Sequence, residues 1–190
     1  MPTLRERITA AAYKLFDECG IQHVTMDAIA VEAKTTKMGV YRHFDSRDAL
    51  IGDWLTATID RYRHALDEIE RVHRDDPRAQ LLALAEFVSQ GLEAISHRGC
   101  PFVNTIAEIA DRENPLRQQI EAHKATQAER VYQMCRKAKI PDPKLAAAQI
   151  NFLLEGAQVC AQNGSVQPGQ DNLVKIMRTI VDVSARGAAQ

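Results

Sequence analysis

The sequence has few cysteines and no closely spaced pair of them. Its 190 residues include 4 cysteines, which lie far apart at Cys19, Cys100, Cys135 and Cys160. Small disulfide scaffolds and CxxC-type sites carry a denser pattern. We therefore expect no disulfides and interpret the four thiols as small, buried apolar side chains.

Long hydrophobic runs are also missing from the start of the chain. The opening residues, MPTLRERITAAAYKLF, carry charges at Arg5, Glu6 and Arg7. A secretory signal or a membrane-spanning helix needs an uninterrupted apolar stretch, which this segment does not contain. We therefore expect a cytoplasmic protein with no membrane partner.

Aromatic residues make up 5% of the chain, although 45% of it is apolar. An apolar share of this size is enough to bury a core in a chain of this length. Aliphatic side chains with few aromatics favour helices, and the 9 glycines and 7 prolines lie mostly between periodic segments. The composition therefore predicts an all-α fold.

Helical periodicity and capping signals divide the chain into about nine helices. The first spans residues 4–19, and Thr25 and Thr36 cap two short helices that follow. Ser46 caps a long fourth helix that ends near Val72. The later helices are predicted to open at Asp76-Pro77, Cys100-Pro101, Asn114-Pro115, Asp142-Pro143 and Asp171, and Gly99 is predicted to end the fifth.

Positive charge is concentrated around the third predicted helix. Residues 34–47 carry four basic side chains against Asp45, a net charge of +3, whereas residues 1–33 carry three basic and five acidic side chains, a net charge of -2. The whole chain has a formal net charge of -1. A focused basic segment attracts a polyanion even when the total charge is near zero.

The order of the first three predicted helices is typical of a helix-turn-helix unit. Two short helices follow a longer one and are joined by a tight turn at Lys34-Thr35, so that the third helix has the size needed to enter the major groove. Val40 and Phe44 are predicted to be core residues of this unit. We infer that residues 1–47 form a DNA-binding domain.

Residues 5–50, RERITAAAYKLFDECGIQHVTMDAIAVEAKTTKMGVYRHFDSRDAL, resemble the DNA-binding domain of the TetR (TetR/AcrR-like) family of bacterial transcriptional regulators. The matching positions are Ile8, Ala11, Phe16, Gly20, Thr25, Ile29, Ala30, Ala33, Tyr41, Phe44 and Leu50. The resemblance implies that residues 48–190 bind an effector and form a dimer, with repression as the commoner mode. One position departs from the pattern, because Lys34-Thr35 stands where the family usually has Gly-Val. This lysine must adopt a left-handed backbone, at a cost of about 1 kcal/mol, or lie in a different turn.

Ten polar, basic or groove-facing residues of this segment are predicted to contact DNA: Thr25, Thr35, Thr36, Lys37, Met38, Gly39, Tyr41, Arg42, His43 and Arg47. The resemblance implies that Tyr41 and His43 clamp a phosphate and that Arg47 is the basic residue opening helix four. Lys37 is placed to donate to guanine O6 or N7, and Gly39 to permit a close approach.

The last two predicted helices are apolar on more than one side. Within residues 144–161 the polar residues form one narrow stripe, and small residues permit close helix packing. A central buried helix of a monomer has the same pattern, but two such helices favour a four-helix homodimer interface, as the resemblance also implies. The predicted interface residues are Phe152, Gly156, Val159, Met177 and Ile180. A two-fold dimer predicts a palindromic operator in double-stranded DNA.

Helix seven carries two polar residues, His123 and Gln127, on an otherwise apolar stripe. Such residues are either core or domain-contact groups, or the polar anchors of a mainly apolar pocket for a small-molecule effector. The predicted pocket residues are Trp54, Tyr62, Phe87, Phe102, Ile106, His123, Gln127 and Met134.

Two other classes of function compete with this interpretation. A metal- or thiol-responsive regulator would use Cys100 with His97, or Cys135 with His123, although no second close pair accompanies either. An enzyme would need a nucleophile-base set, a glycine-rich phosphate loop or an HExxH motif, and none is present. We therefore expect no catalysis, no cofactor and no bound metal.

Overall fold

The computed structural model describes residues 1–94, 98–165 and 172–186, and all regular secondary structure in these ranges is helical. Nine helices lie within the described residues, and their bounds are α1 Leu4–Cys19, α2 Met26–Glu32, α3 Lys37–Tyr41, α4 Arg47–Val72, α5 Pro77–Ala94, α6 Pro101–Glu108, α7 Pro115–Lys137, α8 Pro143–Gln162 and α9 Asn172–Arg186. This confirms the predicted all-helical fold.

Polar caps fix where most of these helices begin. The side chains of Ser46, Asp76, Asn114 and Asp142 each accept a hydrogen bond from a backbone N–H two or three residues later, at 2.9–3.1 Å. These bonds satisfy donors that the first turn leaves without a helical partner, so the predicted starts of α4, α5, α7 and α8 are confirmed. The predicted cap at Asp171 lies outside the described residues.

The fifth helix is described as far as Ala94, and residues 95–97 lie outside the described ranges. Gly99, the predicted stop signal, has a φ of 70°, which glycine adopts without strain. A Cβ at this position would also make a tight contact, 3.1 Å from the Gln158 carbonyl oxygen.

The chain forms two compact units. The first comprises residues 1–61 and 101–120, and the second comprises residues 62–100 and 121–190. Helix α4 runs without a break from one unit into the other, and its first half contributes Leu50 and Trp54 to the core of the first unit. The units therefore do not divide at residue 47, and the division into 1–47 and 48–190 stays a prediction about function.

Each unit has its own apolar core. In the first unit Ile8, Phe16, Ile29, Val40 and Leu50 are almost fully buried. The core of the second unit joins the end of α4 to α5, α7, α8 and α9, and its almost fully buried members include Leu81, Cys135, Ile150, Met177 and Val181. Among the described residues, no helix is both long and apolar enough to cross a membrane.

Candidate DNA-binding surface

Helices α2 and α3 are both capped by threonines, as predicted. Thr25 accepts from the Ala28 N–H and Thr36 from the Gly39 N–H, each at 3.1 Å. Val40 is fully buried and Phe44 nearly so, which confirms that this side of α3 packs inwards. The opposite side of α3 is thereby held towards solvent.

In the turn between α2 and α3, Lys34 adopts the left-handed backbone and not a different turn. Its φ is 53°, in the left-handed region. The Lys34 N–H donates to Val31 O at 3.0 Å, and the Thr35 N–H donates to Ala30 O at 2.9 Å. These two bonds form a Schellman cap, which normally has glycine at this position. The lysine therefore carries a backbone cost of about 1 to 2 kcal/mol.

Gly39 is buried inside the motif and does not form part of an open reading surface. A Cβ built on it would lie 2.4 Å from Thr35 Oγ1. No real Cβ makes so short a contact, so glycine at this position makes room for the Thr35 side chain. The close approach predicted for Gly39 is thus made by the turn of the same chain, and we reassign this residue from DNA contact to packing.

Most of the predicted DNA contacts are exposed side chains. The exposed members are Thr25, Thr36, Lys37, Met38, Tyr41, Arg42 and His43. Thr35 and Arg47 are half-buried. The Arg47 Nε–H donates to Val24 O at 2.7 Å and ties the start of α4 to the loop before α2, so this side chain has a bracing role within the unit.

Lys37 forms an ion pair with Asp27. Its Nζ lies 2.8 Å from Asp27 Oδ2, and the two side chains are 52% and 66% exposed. The hydrogen bond that Lys37 donates to Asp27 and the negative charge of Asp27 raise the pKa of Lys37. The contact joins the first turn of α2 to the first residue of α3, and the ten-residue separation of Asp27 and Lys37 does not by itself reveal it.

Further hydrogen bonds connect the helix-turn-helix unit to α4 and α6. Two of them link the loop before α2 to α6, from the Gln22 N–H to Glu108 Oε2 and from Gln22 Nε2 to Glu108 O, each at 2.7 Å. The Trp54 Nε1–H donates to Asp17 Oδ1 at 3.1 Å, and burial raises the pKa of Asp17. Trp54 is therefore part of the core between α1 and α4.

A cavity of about 50 Å³ lies in the second unit. Three predicted pocket residues, Tyr62, Phe87 and Gln127, line it. The rings of Tyr62 and Phe87 meet edge to face, with centroids 5.7 Å apart. The other lining residues are Leu66, Leu84, Val88, Cys100, Lys124, Val131, Asn151, Leu154, Glu155 and Gln158. The predicted residues Trp54, Phe102 and Ile106 belong to the first unit.

His123 and Met134 are buried in the second unit. The His123 ring meets Tyr62 edge-on, with centroids 6.4 Å apart. Burial lowers the pKa of His123 to about 4, and the positive charges of Lys124 and Arg63 act in the same direction. The imidazole is therefore neutral at pH 7, as in the core-group alternative.

The prediction of four buried thiols is wrong for two of them: Cys100 and Cys135 are buried, but Cys160 is half-buried and Cys19 is exposed. Cys135 is fully buried, and burial raises the pKa of its thiol to about 11. A reactive or metal-binding cysteine needs its thiolate form near neutral pH. Within the described ranges no group of three or more His, Cys, Asp or Glu side chains is placed to hold a metal, and His97 lies outside those ranges.

The predicted interface residues are divided between surface and core. On α8, Phe152 is 77% exposed, Val159 is exposed, and Gly156 faces open space. On α9, Met177 is fully buried in the core of its own unit and Ile180 packs partly against that core. Ile176 is an exposed apolar residue among the described side chains of α9. Met177 is therefore unavailable to a partner subunit, and Ile176 takes its place in the proposed surface.

The capped α3, its exposed basic and polar side chains and the supporting α1 define a helix-turn-helix DNA-binding protein. Residues 8–53 match the family described as "Bacterial regulatory proteins, tetR family", and residues 77–162 match "Tetracyclin repressor-like, C-terminal domain". The chain belongs to the TetR family. It is a DNA-binding transcriptional regulator and not an enzyme.

Known regulators resemble this chain in sequence or in fold, at low sequence identity. The HTH-type transcriptional regulator YjdC of Escherichia coli (strain K12) is 24% identical over 157 residues, which cover 80% of each chain. A TetR-family regulator of Streptomyces coelicolor has a TM-score of 0.85 and 24% identity, with 98% of this chain and 96% of that chain covered. A regulator of Saccharomonospora viridis, solved in complex with choline, has a TM-score of 0.74 and 16% identity, with 94% and 95% covered.

Proposed function

We propose that this chain is a ligand-responsive repressor in the cytoplasm that binds a palindromic operator as a homodimer and leaves it when a small-molecule effector binds. The observation that carries the proposal is the course of α4. Its first residue, Arg47, braces the helix-turn-helix unit, and its later residues Tyr62 and Leu66 line the cavity of the second unit. A single helix of 26 residues therefore contributes to both sites.

The dimer is supported by an apolar row on α8. Leu145, Phe152 and Val159 recur at every seventh residue, so they lie on one side of the helix, and all three are exposed. Ile176 adds an exposed apolar residue on α9. Several exposed large apolar side chains on one side of a helix are typical of an interface, and a second copy of the chain would supply the same row by two-fold symmetry.

The cavity supports an effector that changes the protein on binding. Drug-sized ligands occupy pockets of about 300 to 1,000 Å³. The cavity is about 50 Å³, and Lys124 and Glu155, two of its lining residues, are joined by an ion pair at 2.6 Å. A drug-sized ligand would therefore need the surrounding helices to move apart. Such a ligand prefers the expanded conformation, which is the differential affinity that linkage requires.

Linkage makes the proposal testable. If an effector lowers operator affinity by some factor, operator DNA must lower effector affinity by the same factor, typically about 5- to 150-fold. Operators would be selected from genomic fragments with the purified protein, and ligands found by a thermal-shift screen that includes choline. Each ligand is then titrated with and without operator. Equal affinity in both titrations for every ligand would contradict the ligand-release mechanism.

A further inference from the structure

We propose that Asp27 and Lys37 together read one G·C base pair, as an adjacent hydrogen-bond acceptor and donor. The proposal rests on DNA binding through the exposed side of α3. It assigns a specificity-determining role to Asp27, a residue outside the recognition helix, and it names the base pair that the operator half-site must contain.

The geometry places the two charged groups side by side on the reading surface. Lys37 is the first residue of α3, the part of a recognition helix that meets base edges. Asp27 reaches it from the first turn of α2, with 2.8 Å between Nζ and Oδ2. Both side chains are more than half exposed, so a base edge has access to them.

A G·C pair presents the complementary pattern in the major groove. Guanine offers the acceptors N7 and O6, and next to O6 lies the N4 amino donor of cytosine. O6 and N4 are partners in a Watson–Crick hydrogen bond, so they lie about 2.9 Å apart, close to the separation within the protein pair. Lys37 donates to the guanine and Asp27 accepts from the cytosine.

An A·T pair fits the same two groups less well. Thymine O4 and adenine N6 also form an adjacent acceptor and donor. With the ammonium at O4, however, its outer side meets the thymine methyl group, and the carboxylate lies beside the adenine N7 acceptor. Two acceptors then face each other, so the pair discriminates in favour of G·C.

Electrostatic repulsion between the Asp27 carboxylate and DNA also favours a contact that includes both residues of the ion pair. If Lys37 left the pair to bind a base alone, the Asp27 carboxylate would lie uncompensated beside a polyanion. Keeping the ion pair and giving the carboxylate a cytosine amino group avoids that repulsion. The pair is exposed, and exposed pairs contribute little to folding, so its loss should affect recognition more than stability.

The test compares base preferences of the full-length protein and its variants. Binding sites are selected from a random duplex library, and the best sequence is then titrated with every single base-pair replacement. The variants are Asp27→Ala, Asp27→Asn, Lys37→Ala and the double alanine variant. Glu32→Gln is the matched control, because Glu32 forms a similar exposed ion pair with Lys14 at 2.7 Å and its loss changes the net charge equally.

Replacing one G·C pair should weaken wild-type binding by about 5- to 150-fold. Asp27→Ala and Lys37→Ala should each abolish most of the preference at that same pair, the double variant should lose little more, and Asp27→Asn, which keeps an acceptor oxygen, should fall between. Glu32→Gln should keep the wild-type preference.

Two outcomes would overturn the inference. One is that the Asp27→Ala variant keeps the wild-type preference at every G·C pair of the selected site. The other is an Asp27→Ala variant that tightens binding to all sequences alike, as Glu32→Gln would by charge alone. Failure of the wild-type protein to select any duplex would instead count against DNA binding through α3.

Discussion

At the scale of single residues, Gly39 shows how a missing side chain shapes the recognition helix. The Thr35 side chain occupies the space that a side chain at residue 39 would fill. A Cβ on residue 39 would lie 2.4 Å from Thr35 Oγ1. Glycine inside a helix costs up to about 1 kcal/mol relative to alanine. Glycine is therefore required in α3, although it is a poor helix former, because the Thr35 side chain of the preceding turn occupies the space of a Cβ at residue 39.

Gly39→Ala should destabilise the wild-type protein by about 1 to 3 kcal/mol, since the new methyl group overlaps Thr35. In a Thr35→Ala background the same change should stabilise the protein by up to about 1 kcal/mol, because alanine favours the helix and the clash is gone. Urea unfolding of the four proteins measures both effects. The same sign in both backgrounds would refute the packing role.

The sequence does not decide whether His123 is buried. The structure buries it, and this burial determines its protonation state. Its pKa is about 4 in the folded protein, against the usual 6.5. Above pH 6.5 neither state binds a proton there, so its contribution to stability is fully present. As the pH falls, the unfolded chain takes up a proton that the folded protein does not, and stability decreases.

The free energy of unfolding should therefore lose about 3 kcal/mol through His123 between pH 6.5 and pH 4. His123→Gln, which does not titrate, should show a shallower decline over this interval. Urea unfolding at half-unit steps of pH measures both profiles. Parallel profiles would show that His123 does not control the acid sensitivity.

At the scale of helices and turns, two lysines end helices where glycine is usual. Lys34 after α2 and Lys139 after α7 have φ values of 53° and 55°. At the second site the Ile140 N–H donates to Cys135 O at 3.2 Å, which completes the same cap as at the first. Because the two lysines have the same backbone conformation, comparing substitutions at the two sites separates the effect of backbone strain from the effect of the lysine charge.

Lys34→Gly and Lys139→Gly should each stabilise the protein by up to about 1 kcal/mol, because glycine adopts the left-handed backbone without strain. Lys34→Gly should also weaken DNA binding at low salt, since it removes a positive charge from the reading unit. Lys139→Gly should leave DNA binding unchanged. Equal effects of both variants on DNA affinity would exclude a role for the Lys34 charge.

At the scale of the whole molecule, the proposed dimer interface on α8 would link assembly to operator recognition. A palindromic site needs two reading helices, so each subunit alone has lost half of the contacts. Phe152 is the most exposed apolar side chain of the row. Its exposure also means that replacing it should leave the core of its own unit intact.

Phe152→Glu should therefore give a folded monomer at micromolar concentration and a large loss of affinity for the palindromic operator. Met38→Glu is an informative comparison, because Met38 is also exposed but lies on α3. It should weaken DNA binding and leave the dimer intact. Sedimentation with circular dichroism distinguishes the two, and a dimeric Phe152→Glu protein would contradict the proposed interface.

The sequence alone determined the helices, their caps and the DNA-binding unit. These features depend on neighbours a few residues apart: Thr25, Thr36 and Ser46 bond to N–H groups three residues on, and an apolar face repeats every turn. Local rules of this kind are visible in a single strip of sequence, and so are the buried positions of Val40 and Phe44.

Only the tertiary structure decided which helix faces were covered and which distant side chains met. It buried Met177 and exposed Ile176, although both lie on apolar positions of one helix. It also brought Asp27 to Lys37 and Gln22 to Glu108, across 10 and 86 residues. The packing of whole helices sets these contacts, because adjacent residues of a helix point about 100° apart and the orientation of the helix about its axis decides which of them faces the core.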